Sequence, residues 1–415
     1  MPDVSGLSIR RARLDSVPTD WKVIPLGRIA STQYGLSTAS TAAGAIPMLG
    51  MRDLIDGMVS FRNLSRVELS KTEVDSYRLS DGDILFNRTN SADLVGKSAV
   101  FKNEKDEPYV FASYLVRVAV DKKQANPDFI CLFMNSEIGQ QRLRALATPG
   151  VSQYNINPTN LRNDFLLPLP ALKEQNQIAE IAAEWASAIK RTEDVIKAKR
   201  TLRKGLMQQL LIGKRHVSGP RAHANGGKTW QLLKAGQVFQ PISQRKCAGE
   251  QLLSVTQDQG VVPRAELGRK VVMPDGNTAS YKLVVPGNFV VSLRSFQGGL
   301  EYSSHRGLVS PAYTVLTPKT PICPEFYKHY FKSYEFIGRL AVAVIGIRDG
   351  KQVSYNDFSF LRIPVPPIDE QRQIAKVLDV AKAGEAVHQN YLQGLLKQKR
   401  GLMQKLLTGQ VRVAA

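Results

Sequence analysis

The sequence has few cysteines and is short of acid. Cys131, Cys247 and Cys323 are the only thiols among 415 residues, and they stand far apart. Isolated cysteines supply neither a disulfide framework nor a zinc site and fit a reducing, cytoplasmic compartment. Each reads as a small buried hydrophobe. No apolar run reaches the roughly 18 residues a bilayer span needs, so no membrane helix is expected. The opening stretch MPDVSGLSIRRARLDSVPTDW has no apolar core before a cleavage site, so no secretory leader is expected. Against 36 Asp and Glu stand 56 Lys and Arg, a formal net charge of +20. Such an excess suits a polyanion such as nucleic acid, an anionic membrane surface, or a merely soluble basic protein, and charge alone does not choose. Hydrophobic residues make up 43%, which excludes intrinsic disorder and leaves chain enough for two or three folded domains.

Enzyme signatures are also missing. Gly96-Lys97-Ser98 and Gly227-Lys228-Thr229 end like a phosphate-binding loop, but Ser91 and Ala222 occupy the place of its first glycine. Asn157-Pro158-Thr159 is not the Asn/Asp-Pro-Pro-aromatic loop of an amino-methyltransferase. Asp121-Lys122-Lys123 and Asp349-Gly350-Lys351 have the acid-x-Lys of a metal nuclease without a Pro-Asp at sensible distance. His216, His223, His305, His329 and His388 show no metal-binding spacing. A binding protein is expected, with no catalytic residues, no metal and no cofactor of its own.

What the chain does have is a repeat. Residues 167–217 align with 363–413 without a gap. Pro168, Pro170, Glu174, Gln175, Gln177, Ile178 and Ala179 match Pro364, Pro366, Glu370, Gln371, Gln373, Ile374 and Ala375. Gly205-Leu206-Met207-Gln208 and Gly213 match Gly401-Leu402-Met403-Gln404 and Gly409. Each copy reads as a long helix entered through prolines, with Glu174 or Glu370 in the first turn where a carboxylate suits the helix dipole. Asp369 is a candidate N-cap. Gly213 and Gly409 suit the left-handed position past a C-terminus. Apolar residues from Ile178 to Leu210, and from Ile374 to Leu406, step mostly by three or four and mark one buried face. Glu174 to Leu211 would make a rod of about 55 Å. Two rods with matching stripes most simply pair antiparallel and separate two domains. Trp185 reads as packing between rods.

The stretches before each rod are related more weakly. Trp21 and Gly27 are spaced as Trp230 and Gly236. Gly82-Asp83-Ile84-Leu85 resembles Gly287-Asn288-Phe289-Val290, and Pro127-Asp128-Phe129 with Ser136 resembles Pro324-Glu325-Phe326 with Ser333. Residues 83–88, 114–120, 288–294 and 312–316 read as strands, and 127–147 and 324–344 as helices. The expected fold is α+β: two mixed α/β domains separated by an antiparallel, coiled-coil-like pair of long helices, in a pseudo-two-fold internal repeat. The expected domains are 1–166, rod 167–217, 218–362 and rod 363–415, with the basic stretch 214–228 as linker.

The duplicated Glu-Gln-x-x-Ile-Ala and Gly-Leu-Met-Gln segments resemble the helical regions of specificity subunits of type I restriction–modification enzymes, over essentially the whole chain. Residues 292–299 also look like a recurring segment of the target recognition domains of that family, and Asn87-Arg88-Thr89-Asn90 stands at the equivalent place in the first domain. The resemblance implies a non-catalytic subunit reading a bipartite sequence of double-stranded DNA, one half per domain, with the rods setting the unread spacer. It implies docking of two methyltransferase subunits, which bind S-adenosylmethionine and methylate adenine at N6, and of restriction/translocase subunits, with no membrane. The other readings are an orphan or repurposed DNA-binding subunit of another phage-defence complex, and a nuclease with an unrecognised site.

Base reading needs Arg, Lys, Asn or Gln at base edges. The candidates in loops after strands are Arg52, Asn87, Arg88, Asn90, Lys97, Gln153 and Tyr154, then Arg294, Ser295, Gln297, Arg348 and Lys351. Gly298 and Gly299 are candidates for close approach to phosphate. A solvated surface charge is the competing reading for each Arg or Lys. Candidates for the helix pair and its partners are Glu174, Gln175, Ile178, Trp185, Leu206, Met207, Glu370, Gln371, Ile374, Leu402 and Met403. The rods are acid-free from Val195 to Arg215 and after Glu385, which is either a solvated face or a contact with the DNA spacer or with acidic partner helices.

Overall fold

The computed structural model describes residues 17–39, 41, 44–103, 105, 107–151, 153–217, 230–247, 249–267, 278–292, 295–344 and 353–413. The linker expected at 214–228 lies mostly outside them. Contacts divide the chain into two compact units, residues 1–191 with 392–415, and residues 192–391. The division cuts through both rods rather than at their ends, because each rod contributes its two halves to different cores.

In the first unit a six-stranded sheet runs in the order Ala30–Tyr34, Leu115–Val120, Ile84–Asn87, Ser98–Val100, Met58–Val59, Leu54–Ile55. The central strand Ile84–Asn87 is buried at every position, the continuous pattern of a strand covered on both faces. Residues 127–147 form two helices instead of one, Pro127–Asn135 and Glu137–Leu146. Ser136 breaks them: its backbone is extended, and its Oγ accepts the Gly139 N–H at 3.0 Å as N-cap of the second. Strand Lys22–Pro25 pairs antiparallel with Leu166–Leu169, tying the start of the domain to the residues that enter the first rod. That rod is a 39-residue helix, Leu172–Leu210. Its Ile178 and Ala182 share one apolar core with Phe86, Phe129, Phe133 and Phe165 of the domain, and with Met403, Leu406 and Leu407 from the end of the second rod.

The second unit repeats the plan. Its sheet runs Phe239–Ile242, Thr314–Pro318, Phe289–Val291, Glu301–Tyr302. Residues 324–344 again divide, into Pro324–Tyr330 and Tyr334–Val344. Strand Gln231–Lys234 pairs with Arg362–Val365 ahead of the second rod, the 39-residue helix Ile368–Leu406. Ile374, Ala375 and Leu378 from the start of this rod share a core with Leu210 and Leu211 from the end of the first. In each unit the start of one rod therefore meets the end of the other, as an antiparallel pair requires. The centre of this core is aromatic: Phe239 packs edge-on against Phe289 at 5.6 Å and Tyr327 at 5.2 Å.

Small details follow the repeat. Gly82 and Gly287 have φ of +87° and +89°, and the next side chain, Asp83 or Asn288, accepts an N–H from the residue three positions back, Ser80 or Val285. Gly213 and Gly409 take φ of +72° and +70° past the rod ends, the left-handed position expected of them. Asp369 lies inside the first turn of the second rod, exposed and paired with Arg372 at 3.3 Å, so it is not the N-cap. Cys131 and Cys323 are buried and Cys247 is half-buried. Burial pushes the Cys131 thiol up to about 12, which leaves it an inert packing residue. Among the described residues, no helix is long and apolar enough to cross a membrane.

Candidate nucleic-acid interface

Most of the residues expected at the helix pair or its partners turn out to fasten each domain to the rods. In the first unit Glu174 accepts from the Trp21 indole at 3.1 Å and from Arg412 at 2.7 and 2.9 Å. Arg412 also forks onto Asp20 and lies over the Trp21 ring, 5.6 Å from its centroid. In the second unit Glu370 takes the same place, bonded to the Trp230 indole at 2.9 Å and to His216. Arg412 and His216 occupy equivalent positions after their rods. Beside each glutamate, Gln175 and Gln371 are buried and clamp the backbone just before a domain helix: Asn126 and Cys323 donate their N–H groups to these side chains at 2.8 Å. The Glu-Gln pair is thus a joint between domain and rod, not an exposed docking site. Ile178 and Ile374 are fully buried, Leu206 and Met207 pack on the second core, and Leu402 and Met403 on the first. Trp185 is half-buried.

The second unit has a further joint. Asp379 on the rod accepts from Lys328 at 2.8 Å and bonds His329 Nε2 at 2.9 Å. The His329 bond, with help from Lys328, holds the Asp379 carboxyl down at about 2. Burial lowers the His329 pKa in spite of that bond, so the imidazole stays neutral and donates. Both groups resist acid with the same sign. A depressed histidine loses stability as pH falls below its unfolded value of about 6.5, and a depressed carboxylate loses it as pH falls from about 4 towards 2. The second unit should therefore unfold at lower temperature on acidification from pH 7 to 5. Asp379→Asn should steepen the dependence between pH 7 and 5, because it removes the carboxylate that holds the His329 pKa up against burial, and a thermal melt read on the unit's buried tyrosines would show this.

The candidate DNA readers of the first unit converge in part. Asn87 does not qualify: it is 1% exposed in the central strand, and its amide reaches the Leu94 carbonyl at 3.5 Å, holding the loop that follows. Arg88, next in the chain, leaves the strand half-buried, with its guanidinium 5.0 Å from the Tyr34 ring centroid and Nη1 3.4 Å from the Ser113 carbonyl. Asn90 and Tyr154 are register partners in a small sheet with Thr148–Pro149. Gln153 is exposed in the turn between Pro149 and Tyr154, its carbonyl bonded to the Gly150 N–H. The Asn90 amide contacts Met51 Sδ at 3.7 Å, and the neighbouring Arg52 is exposed, bonded to Ser65. Lys97 is half-buried at the far end of the loop, where its carbonyl accepts the Asn87 N–H. Sequence reasoning missed Tyr34 and Tyr114, which are 49% and 48% exposed beside Arg88. Tyr34 ends a strand, where alternation no longer tells inside from outside.

In the second unit Arg294, Arg348 and Lys351 lie outside the described residues. Ser295 is 1% exposed, and its Oγ accepts the Ser292 N–H at 2.8 Å, so it is a turn-former and not a reader. Gln297 is exposed on the short helix Ser295–Gly298. Gly299 has φ of +75° because the Phe331 carbonyl lies against it, so this glycine serves packing and not a phosphate. Nearby Lys332, also missed, plugs the carbonyls of Gln257 and Gly298 at 3.0 and 2.9 Å and pairs with Glu301.

The basic rod segments are partly neutralised. Arg200 and Arg203 of the first rod bind Glu385 of the second at 2.9 and 3.0 Å, and these bonds lower the Glu385 pKa against the cost of burial. Lys197 and Lys204 remain exposed. On the second rod Val380, Val387 and Tyr391 are exposed at spacings of seven and four, one apolar stripe with no covering element among the described residues. Among the described residues, no cluster of His, Cys, Asp and Glu could hold a metal ion.

Comparison with known proteins places this arrangement. Residues 18–197 match the type I restriction modification DNA specificity domain. The chain is 24% identical to a putative type I restriction enzyme specificity subunit of Methanocaldococcus jannaschii, covering 98% of this chain and 97% of that one. It is 29% identical to the StySPI specificity subunit of Salmonella potsdam, over 42% of this chain and 38% of that one. The crystal structure of a type I restriction–modification S subunit from M. genitalium has the same fold, with a TM-score of 0.57 at 15% identity, covering 94% of this chain and 96% of that one. With its duplicated domains and jointed rods, the chain is similar over nearly its whole length to specificity subunits of type I restriction–modification systems, and residues 18–197 match their DNA specificity domain.

Proposed function

We propose that this chain reads a bipartite DNA sequence for a methyltransferase complex, one half-site per domain. The observation that carries the reading is the twofold joint: Trp21–Glu174–Arg412 and Trp230–Glu370–His216 bolt each domain to the start of one rod and the end of the other. Domains fixed this way keep their reading loops in constant register with the rods, so the rods set the unread spacer. A 39-residue helix is about 58 Å long, or roughly 17 base pairs of duplex. The chain contributes no catalytic group: two methyltransferase subunits bring S-adenosylmethionine and flip the target adenine, and restriction/translocase subunits join them. The complex acts in the cytoplasm. The excess of positive charge supports DNA as the partner. Methylome sequencing of cells expressing the chain with its methyltransferase should reveal one split adenine motif, and the absence of any such motif sinks the proposal.

The exposed stripe supports docking of the methyltransferase on the rods. Val387→Asp combined with Tyr391→Ser should weaken co-purification of the methyltransferase at least tenfold and leave the melting temperature of the isolated chain within a degree or two, because neither side chain is buried in it. Undiminished co-purification would move the docking site elsewhere.

A further inference from the structure

We propose that Arg88, seated on Tyr34 and flanked by Tyr114, Asn90 and Tyr154, is the guanine-reading head of the first domain. The inference deepens the function proposed above and rests on it.

The backbone of Arg88 is clamped on both sides. Its N–H donates to the Tyr114 carbonyl at 3.1 Å, and its carbonyl accepts the Ile156 N–H at 2.8 Å. The side chain is held by the Tyr34 ring face and by one long bond to the Ser113 carbonyl. Its Nε is buried, and neither Nε nor Nη2 has a partner among the described residues. No carboxylate among the described residues pairs with it, whereas Arg203 and Arg412 each have one. A half-buried guanidinium without a carboxylate is an expensive way to build a structure. It suits an external acceptor that binds two parallel N–H groups. In the DNA major groove, guanine O6 and N7 are that acceptor, and bidentate arginine is their commonest protein partner.

The surroundings fit the same ligand. Tyr34, Tyr114 and Tyr154 are exposed at 49%, 48% and 38%, although buried tyrosines are common elsewhere in this chain. Tyrosine and arginine are enriched at binding hot spots, tyrosine because its rigid ring offers large contact area with little entropy to lose. Asn90, directly opposite Tyr154 in register, places an amide beside them that can read an adjacent adenine. Tyr34 acts through Arg88: the ring face orients the guanidinium and spares it a flexible search.

The test uses the full chain in complex with its methyltransferase, bound to duplexes that carry each base in turn at every position of the first half-site. Arg88→Lys keeps the charge but loses the fork. It should reduce discrimination at one G·C position by roughly tenfold or more, leaving the second half-site and the spacer unchanged. Tyr34→Ala should relax the same position, and Tyr34→Phe, which keeps the ring, should restore it. The inference is overturned if Arg88→Lys leaves discrimination intact, if Tyr34→Phe is as impaired as Tyr34→Ala, or if both weaken all sequences equally with a shallower salt dependence, the mark of a phosphate contact. A wild-type complex that shows no split motif would instead remove the function proposed above.

Discussion

Gly299→Ala should destabilise the second unit by about 2–5 kcal/mol, whereas Gly298→Ala should cost well under half of that. A Cβ at position 299 would stand 1.8 Å from the Phe331 carbonyl oxygen, inside any permitted contact, and the φ of +75° is unfavourable for an L side chain. The obstacle is backbone at the end of helix Pro324–Tyr330, and Phe331 itself is buried among Phe239, Phe289 and Phe336, so it has no room to retreat. Relief would require moving that aromatic core, and overpacked cores lose about 1–3 kcal/mol before the φ cost is added. At Gly298 the obstacle is the Gln257 side chain at 3.2 Å, which can rotate away. Denaturant unfolding of the two variants measures the difference. If Gly298→Ala were the damaging change for DNA binding while Gly299→Ala folded normally, the pair would be a phosphate-approach loop after all.

That reversal of role for the glycines shows where the sequence was legible and where it was not. The rods could be read because a 3.6-residue period sustained over many turns, and written twice, admits one interpretation. Their ends were legible for a similar reason: Gly213 and Gly409 answer to a purely local conformational demand. The strands at 84–87 and 115–120 were visible as β-branched and aromatic runs. The joints were not visible, since Trp21 meets Glu174 across 153 positions and Arg412 meets Glu174 across 238. A glutamate in a first helical turn looks the same whether it faces solvent or a buried indole. Reader assignment failed by the same blindness. Asn87 and Ser295 have the polar side chains a reader needs, but one lies in a strand covered on both faces and the other closes a turn. Tyr34 and Tyr114 have the composition of core residues and stand in the open. Polar type suggests availability to a ligand, and only tertiary packing decides it.

Replacement of Gln371 by Leu should lower the stability of the second unit by about 2–5 kcal/mol, and Gln175→Leu should do the same to the first. Both amides are buried, at 1% and 0% exposure. Gln371 accepts the Cys323 N–H at 2.8 Å through Oε1 and donates to the Pro366 carbonyl at 2.8 Å through Nε2. Gln175 treats Asn126 and Pro170 identically. Each therefore satisfies one donor ahead of a domain helix and one acceptor at the entry to its rod. Leucine preserves volume and burial but strands both backbone groups, at about 1–3 kcal/mol apiece. Glutamate is expected to be worse, because a carboxylate facing the Pro366 carbonyl can donate nothing and would enter the site charged. Alanine at Lys376, exposed on the same rod, serves as the control and should change stability by less than about 0.5 kcal/mol. Amide hydrogen exchange adds a local reading: the Cys323 N–H should exchange faster in Gln371→Leu even under conditions where the unit stays folded. Unchanged exchange there, with a normal unfolding midpoint, would mean that the duplicated Glu-Gln motif is kept for a surface that partners touch and not for the joint. The joint explains better why the two residues occur as a pair: the glutamate holds the tail of the opposite rod while the glutamine holds the domain.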